Sequence, residues 1–130
     1  MKISAITYLV RDYDEAIAWF VNALGFVLVE DTDMGEGKRW VLISPELQGG
    51  IKLLLAKAAG QTQINAIGKA AGGRVGFFLN TQNFTQDHAR MMAAGIEFKE
   101  SPRHEPYGTV AVFEDLYGNL WDLIEPRSRA

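Results

Sequence analysis

An α+β fold of two βαβββ modules is predicted by three observations on the sequence. The first is an internal repeat at an offset of about 70 residues, the kind of self-similarity that marks duplicated units. Strand-like Ala5-Ile6-Thr7-Tyr8-Leu9-Val10 is followed by a helix and by Phe26-Val27-Leu28-Val29-Glu30. Later, Arg74-Val75-Gly76-Phe77-Phe78-Leu79 is followed by a helix and by Ile96-Glu97-Phe98-Lys99-Glu100. The second observation is a glycine at the end of each helical stretch, Gly25 and Gly95, where a left-handed residue closes a helix. The third is alternating β-branched and aromatic content in four further segments, Arg39 to Ile43, Ile51 to Leu55, Thr109 to Phe113 and Leu120 to Ile124.

Each element has a local cause. Asp12-Tyr13-Asp14-Glu15 fits a capping box, with Asp12 accepting backbone N–H groups at the start of the first helix. Ile17, Phe20 and Leu24 recur at helical spacing and form a buried stripe. Asn83-Phe84-Thr85-Gln86 offers the second start, and Met91 and Met92 the apolar bulk of that helix core. Asp33-Met34-Gly35-Glu36-Gly37 and Asp115-Leu116-Tyr117-Gly118-Asn119 carry the glycine and Asx chemistry of tight turns. The modules therefore span roughly 1–57 and 74–126 of a single domain, joined by 58–73. That connection is long for a compact domain and reads as a tether, with a flap over a pocket as the other reading and a short helix around Ile64 to Ala71. Arg127 to Ala130 read as a frayed end.

Composition narrows the partners. The chain has 130 residues, 48% hydrophobic and 22% charged, ordinary for a globular domain with its own core. A net charge of −3 argues against nucleic acid, which needs a concentrated basic face. No apolar run approaches the ~20 residues that span a bilayer. With no signal-like start and no cysteine, the expectation is a cytoplasmic protein without disulfides, thiolate metal ligands or a cysteine nucleophile.

Two stretches carry a more specific signal. Val10-Arg11-Asp12-Tyr13-Asp14-Glu15-Ala16 with Leu24-Gly25-Phe26, and Phe113-Glu114-Asp115-Leu116-Tyr117-Gly118-Asn119-Leu120-Trp121-Asp122-Leu123, resemble the vicinal oxygen chelate superfamily of glyoxalases, bleomycin-resistance proteins and extradiol dioxygenases. The resemblance runs from Ile3 to about Pro126. It implies curved mixed sheets with a concave cleft, and a homodimer in which modules pair within or across chains. It also implies four equivalent metal-ligand positions, at the start of the first strand and the middle of the last strand of each module. The first-strand ligand stands seven residues before the helix opener. Counted from Asp12 and Thr81, with the last strands added, the positions fall on Ala5, Lys52 (or Leu53), Arg74 and Asp122.

Those residues do not suit a cation. Alanine has no donor, guanidinium is permanently charged, and lysine repels metal unless its charge is suppressed. Only Asp122 has the right chemistry, and His88 and His104 stand away from the ligand strands. No cofactor is expected, and no divalent metal unless non-standard ligands hold it. Arg74 and Asp122 are expected within reach of each other, either as an ion pair filling the vacated volume or, with Lys52, as a charged seat for an anionic molecule. Thr7 and Leu9 share the pleat of Ala5, and Gly76 and Phe78 that of Arg74. Trp40 and Trp121 read as packing residues, Trp121 opposite in direction to Asp122. Tyr107 at a strand mouth is the better ligand contact, and His104 with Glu105 reads as solvated loop or as a proton-transfer pair.

Three functions follow. The first is a metal-free, bleomycin-resistance-like protein that binds a small, anionic or aromatic molecule through the candidates Arg74, Asp122, Lys52, Thr7, Phe78 and Tyr107. The second is a glyoxalase-type lyase or isomerase with non-standard metal ligands. The third is a module whose sheets serve association alone.

Overall fold

The computed structural model describes residues 1–127, so Ser128 to Ala130 of the expected frayed end lie outside the described residues. Arg127 is not frayed, since its N–H donates to the Tyr107 carbonyl at 2.8 Å. The chain forms two compact units, Met1–Gly68 and Lys69 onward. In the first, β1 (Ala5–Val10) leads to α1 (Tyr13–Ala18), then β2 (Val27–Asp33), β3 (Arg39–Ser44), β4 (Lys52–Lys57) and α2 (Gly60–Ala66). In the second, β5 (Val75–Asn80) leads to α3 (Phe84–Ala93), β6 (Arg103–Glu105), β7 (Gly108–Glu114) and β8 (Leu120–Pro126). Each unit holds one four-stranded mixed sheet, ordered β1-β4-β3-β2 and β5-β8-β7-β6, with its first strand parallel to its last.

The helix boundaries follow their caps. Asp12 Oδ2 accepts the Glu15 N–H at 2.8 Å, and Asn83 Oδ1 accepts that of Gln86 at 3.1 Å. Gly25 and Gly95 close their helices at φ of 85° and 89°, a conformation costly for residues with a Cβ. α1 runs on as a π turn over Trp19–Ala23. This seats Phe20 edge-on to Tyr8, ring centroids 5.3 Å apart. Tyr8, Val10, Val41, Ile43, Leu53 and Leu55 bury one face of the first sheet. In the second unit Trp121 stacks on Phe77 at 4.5 Å and on Phe113 at 5.8 Å, with Leu123 and Met91 buried alongside. Full burial of such side chains contributes about 1.5–3 kcal/mol each.

Three expectations need correction. Met92 is 55% exposed, not core, because only Met91 falls on the sheet-facing side of α3. The connecting helix lies at Gly60–Ala66 and buries no residue, rather than running from Ile64 to Ala71. The strand expected at Ile96 to Glu100 is reduced to a single bridge, Phe98 to Phe113, and pairing resumes only at Arg103–Glu105. There the Glu100 side chain, rather than a backbone carbonyl, accepts the Val112 N–H at 3.0 Å, and Pro102 has no N–H for a ladder. No helix among the described residues is long and apolar enough to cross a membrane.

Candidate functional site

In each unit the face of the sheet turned away from the helix is open, and register decides what stands on it. The N-cap of α3 is Asn83, not Thr81. Seven residues before the two caps therefore stand Ala5 and Gly76, and Arg74 lies outside the equivalence. Gly76 occupies the irregular step of β5, between Val75 and Phe77. Two residues further along, Thr7 pairs with Leu54 and Phe78 pairs with Asp122. Equivalence of these pairs makes Leu54, rather than Lys52 or Leu53, the partner position of Asp122. Leu53 is buried in the core, whereas half-buried Lys52 shares the open face one pleat nearer the strand start, opposite Ala5. The sequence count slips because the second cap comes two residues later than the threonine it starts from.

Arg74 is exposed and precedes β5, its N–H bonded to the Ala71 carbonyl at 3.2 Å. Among the described residues no ion pair joins Arg74 to Asp122. The charges around Asp122 come from elsewhere. Arg103 on β6 donates from Nε to both Glu100 oxygens at 2.9 and 3.1 Å and from Nη1 to Glu105 at 2.9 Å. These two carboxylates, with a hydrogen bond involving the Tyr107 side chain, hold the guanidinium in its charged form. Glu100 is also fixed by the Val112 N–H, and Val112 pairs with Asp122 on β8. Glu100 and Arg103 are the site residues that the sequence reading misses, and Glu105, weighed there only with His104, belongs with Arg103. The Arg-x-Glu spacing of a strand, which puts both side chains on one face, is the available signal, but the sequence reads as loop there.

Asp122 is the unusual group. Its Oδ1 is buried without a hydrogen-bond partner. Burial raises its carboxyl pKa above the ordinary value, Arg103 pulls it back, and Glu100 raises it further. Beside it Phe78 is 65% exposed. Tyr107 is exposed in the β6–β7 turn, and Thr7 is exposed on the open face of the first unit, with Trp40 partly so. Trp121 points to the helix side as expected and donates from Nε1 to Asp115 at 2.9 Å.

The two histidines lie on the helix-bearing side of the second sheet, where a cleft of 410 Å³ is lined by both. His88 sits between the rings of Phe84 and Phe98, at 5.3 and 4.3 Å. His104 Nδ1 lies 3.2 Å from Thr109 Oγ1. Glu105 extends to Arg103 instead, so the His104–Glu105 pair is not formed. Alternation along β6 puts the two on opposite faces. Among the described residues no three His, Cys, Asp or Glu side chains group so as to hold a metal ion.

Comparison with known proteins agrees with this architecture. An uncharacterised protein of Shewanella frigidimarina (strain NCIMB 400) is 54% identical over 125 residues, covering 95% of this chain and 93% of its own. The solved structure of UcmS2 is 30% identical with a TM-score of 0.83, over 96% of this chain and 98% of that one. TnmS3, described as an antibiotic binding protein from Streptomyces sp. CB03234, is 26% identical with a TM-score of 0.79, over 98% and 97%. Residues 2–123 match one family throughout, and the chain belongs to the Glyoxalase/Bleomycin resistance protein/Dioxygenase superfamily.

Proposed function

We propose that this protein is a cytoplasmic homodimer that binds a small molecule on its open sheet faces without the metal ion of its catalytic relatives. One observation carries the reading: the four positions equivalent to metal ligands hold Ala5, Leu54, Gly76 and Asp122, a single carboxylate among three residues with no side-chain donor atom. A divalent cation bound to one carboxylate has no reason to stay, because its hydration shell offers more oxygen donors than the protein does. The residues therefore do not fit a metal ion, and a metal-dependent lyase or isomerase step has no support in this donor set. Exposed Phe78 and the buried, unpartnered Asp122 oxygen are what a binding face needs: apolar area and a few placed polar atoms. The description of TnmS3 as antibiotic binding points the same way.

The test is elemental analysis of protein purified without chelator, paired with a thermal-shift screen and an assay of glutathione hemithioacetal turnover. The expected result is far less than one metal per chain, no turnover with added nickel or zinc, and stabilisation by selected small aromatic molecules. Stoichiometric metal accompanied by turnover overturns the reading in favour of a glyoxalase-type enzyme.

A further inference from the structure

We infer that the open face of the second unit selects planar ligands that present a hydrogen-bond donor, above all a cationic nitrogen, to Asp122, and disfavours anions. The inference rests on the binding role proposed above and specifies its chemistry. It replaces the anionic ligand that the sequence suggests.

An anion-binding seat needs a guanidinium or ammonium whose charge is not already offset by carboxylates. Arg74 is exposed and precedes β5. Arg103 is close to Asp122 in charge, yet its Nε and Nη1 are engaged by Glu100 and Glu105. Three carboxylates thus face one guanidinium, and an incoming anion meets more negative than positive charge at a few ångströms.

Next comes what is left unsatisfied. A buried acceptor without a partner costs free energy until something donates to it, and Asp122 Oδ1 is such an acceptor. An N–H or ammonium satisfies it once the half-buried carboxyl group turns that oxygen toward the open face, whereas a carboxylate ligand has only acceptors to offer. The neighbouring residue in the parallel ladder, Phe78, supplies an aromatic face that is largely exposed. A cation held over or beside such a ring gains further attraction. Val112, on the other side of Asp122, is half-buried and adds apolar wall. Donor, plane and positive charge are the three ligand properties this face rewards together.

Protonation refines the selectivity. Burial disfavours the Asp122 carboxylate, so its proton leaves at higher pH than usual; Glu100, Glu105 and Arg103 are the charged groups around it. A cation prefers the ionised form. Its affinity is therefore lost as pH falls through the Asp122 pKa, and binding releases a proton when it starts from the protonated form.

Fluorescence titration with two probes of equal ring size tests this. The probes are 9-aminoacridine, a planar cation with N–H donors, and anthracene-9-carboxylate, a planar anion. The wild-type protein is expected to bind the cation at least about tenfold more tightly, a difference of ~1.4 kcal/mol. Asp122→Asn should remove most of that preference, and Phe78→Ala should weaken both probes. On the wild type alone, where the folding of variants plays no part, affinity for 9-aminoacridine should fall as pH drops from 7 to 4. Tighter binding of the carboxylate, or a preference unchanged in Asp122→Asn, overturns the selectivity while leaving a binding role intact. Phe78→Ala that changes the sedimentation coefficient but neither affinity also overturns it, assigning the ring to self-association. Failure of both probes to bind the wild type, with no hit in the thermal-shift screen, removes the binding role as well.

Discussion

Asp122 shows how one atom's surroundings set both function and stability. Its folded-state pKa is raised by burial, so the native protein holds that proton more tightly than the unfolded chain does. The stability this contributes is complete below the ordinary carboxylate value and is lost as pH rises through the raised one. Replacing Asp122 with Asn removes the titration. Urea unfolding of both proteins at pH 4 and pH 7 is expected to show the variant gaining on the wild type as pH increases. A difference independent of pH contradicts the assignment. Arg39 is the opposite case at the same scale: Asp31, held at 2.7 Å by Nη2, has its pKa lowered by that hydrogen bond, yet the pair is partly exposed and contributes little to folding.

Among elements, the β7–β8 hairpin has a tight point at Gly108. Gly108 opens β7 opposite Pro126, and a methyl group on its Cα would overlap the Glu125 carbonyl oxygen, which is backbone and cannot swing aside. Gly108→Ala is therefore expected to cost about 3 kcal/mol, the range of a severe steric change. Gly95→Ala, with open space but a positive φ, should cost about 1–2 kcal/mol. Denaturant midpoints at constant m-value measure both. Elements also show where the sequence was legible. Asp12 and Gly25 bracket α1 by local chemistry alone, and alternation fixes β7 and β8 to within a few residues. Ile96 to Glu100 alternates as a strand does, yet only Phe98 bridges, because a side chain takes the ladder's place at Glu100. That substitution is tertiary, and no local pattern announces it. The same gap hid Glu100 and Arg103 from the candidate site and gave Glu105 the wrong partner, and a two-residue slip at Asn83 put Arg74 where Gly76 belongs.

At the scale of the whole molecule, both units leave apolar side chains in water on their sheets. Ile6, Leu28 and Trp40 in the first unit and Phe78 in the second are all more than a third exposed. A homodimer that covers part of this surface makes apparent stability depend on concentration, since association removes native chains from the unfolding equilibrium. Raising the protein a hundredfold is expected to stabilise it by up to ~2.7 kcal/mol if folding and association are one step. Thermal midpoints at about 1 and about 100 μM protein give the answer, and a midpoint that does not move contradicts an obligate dimer.

The turn from Asp115 to Asn119 is the most recognisable stretch of the chain, and its polar atoms look inward. Asp115 gathers the N–H groups of Tyr117 and Asn119 and the indole of Trp121, while Asn119 Oδ1 fastens the Ala70 N–H at 3.0 Å. This is joinery: the signature that reveals kinship is a fastener of the frame. Proteins gathered by that signature will share carpentry, and their reactivities will be free to diverge.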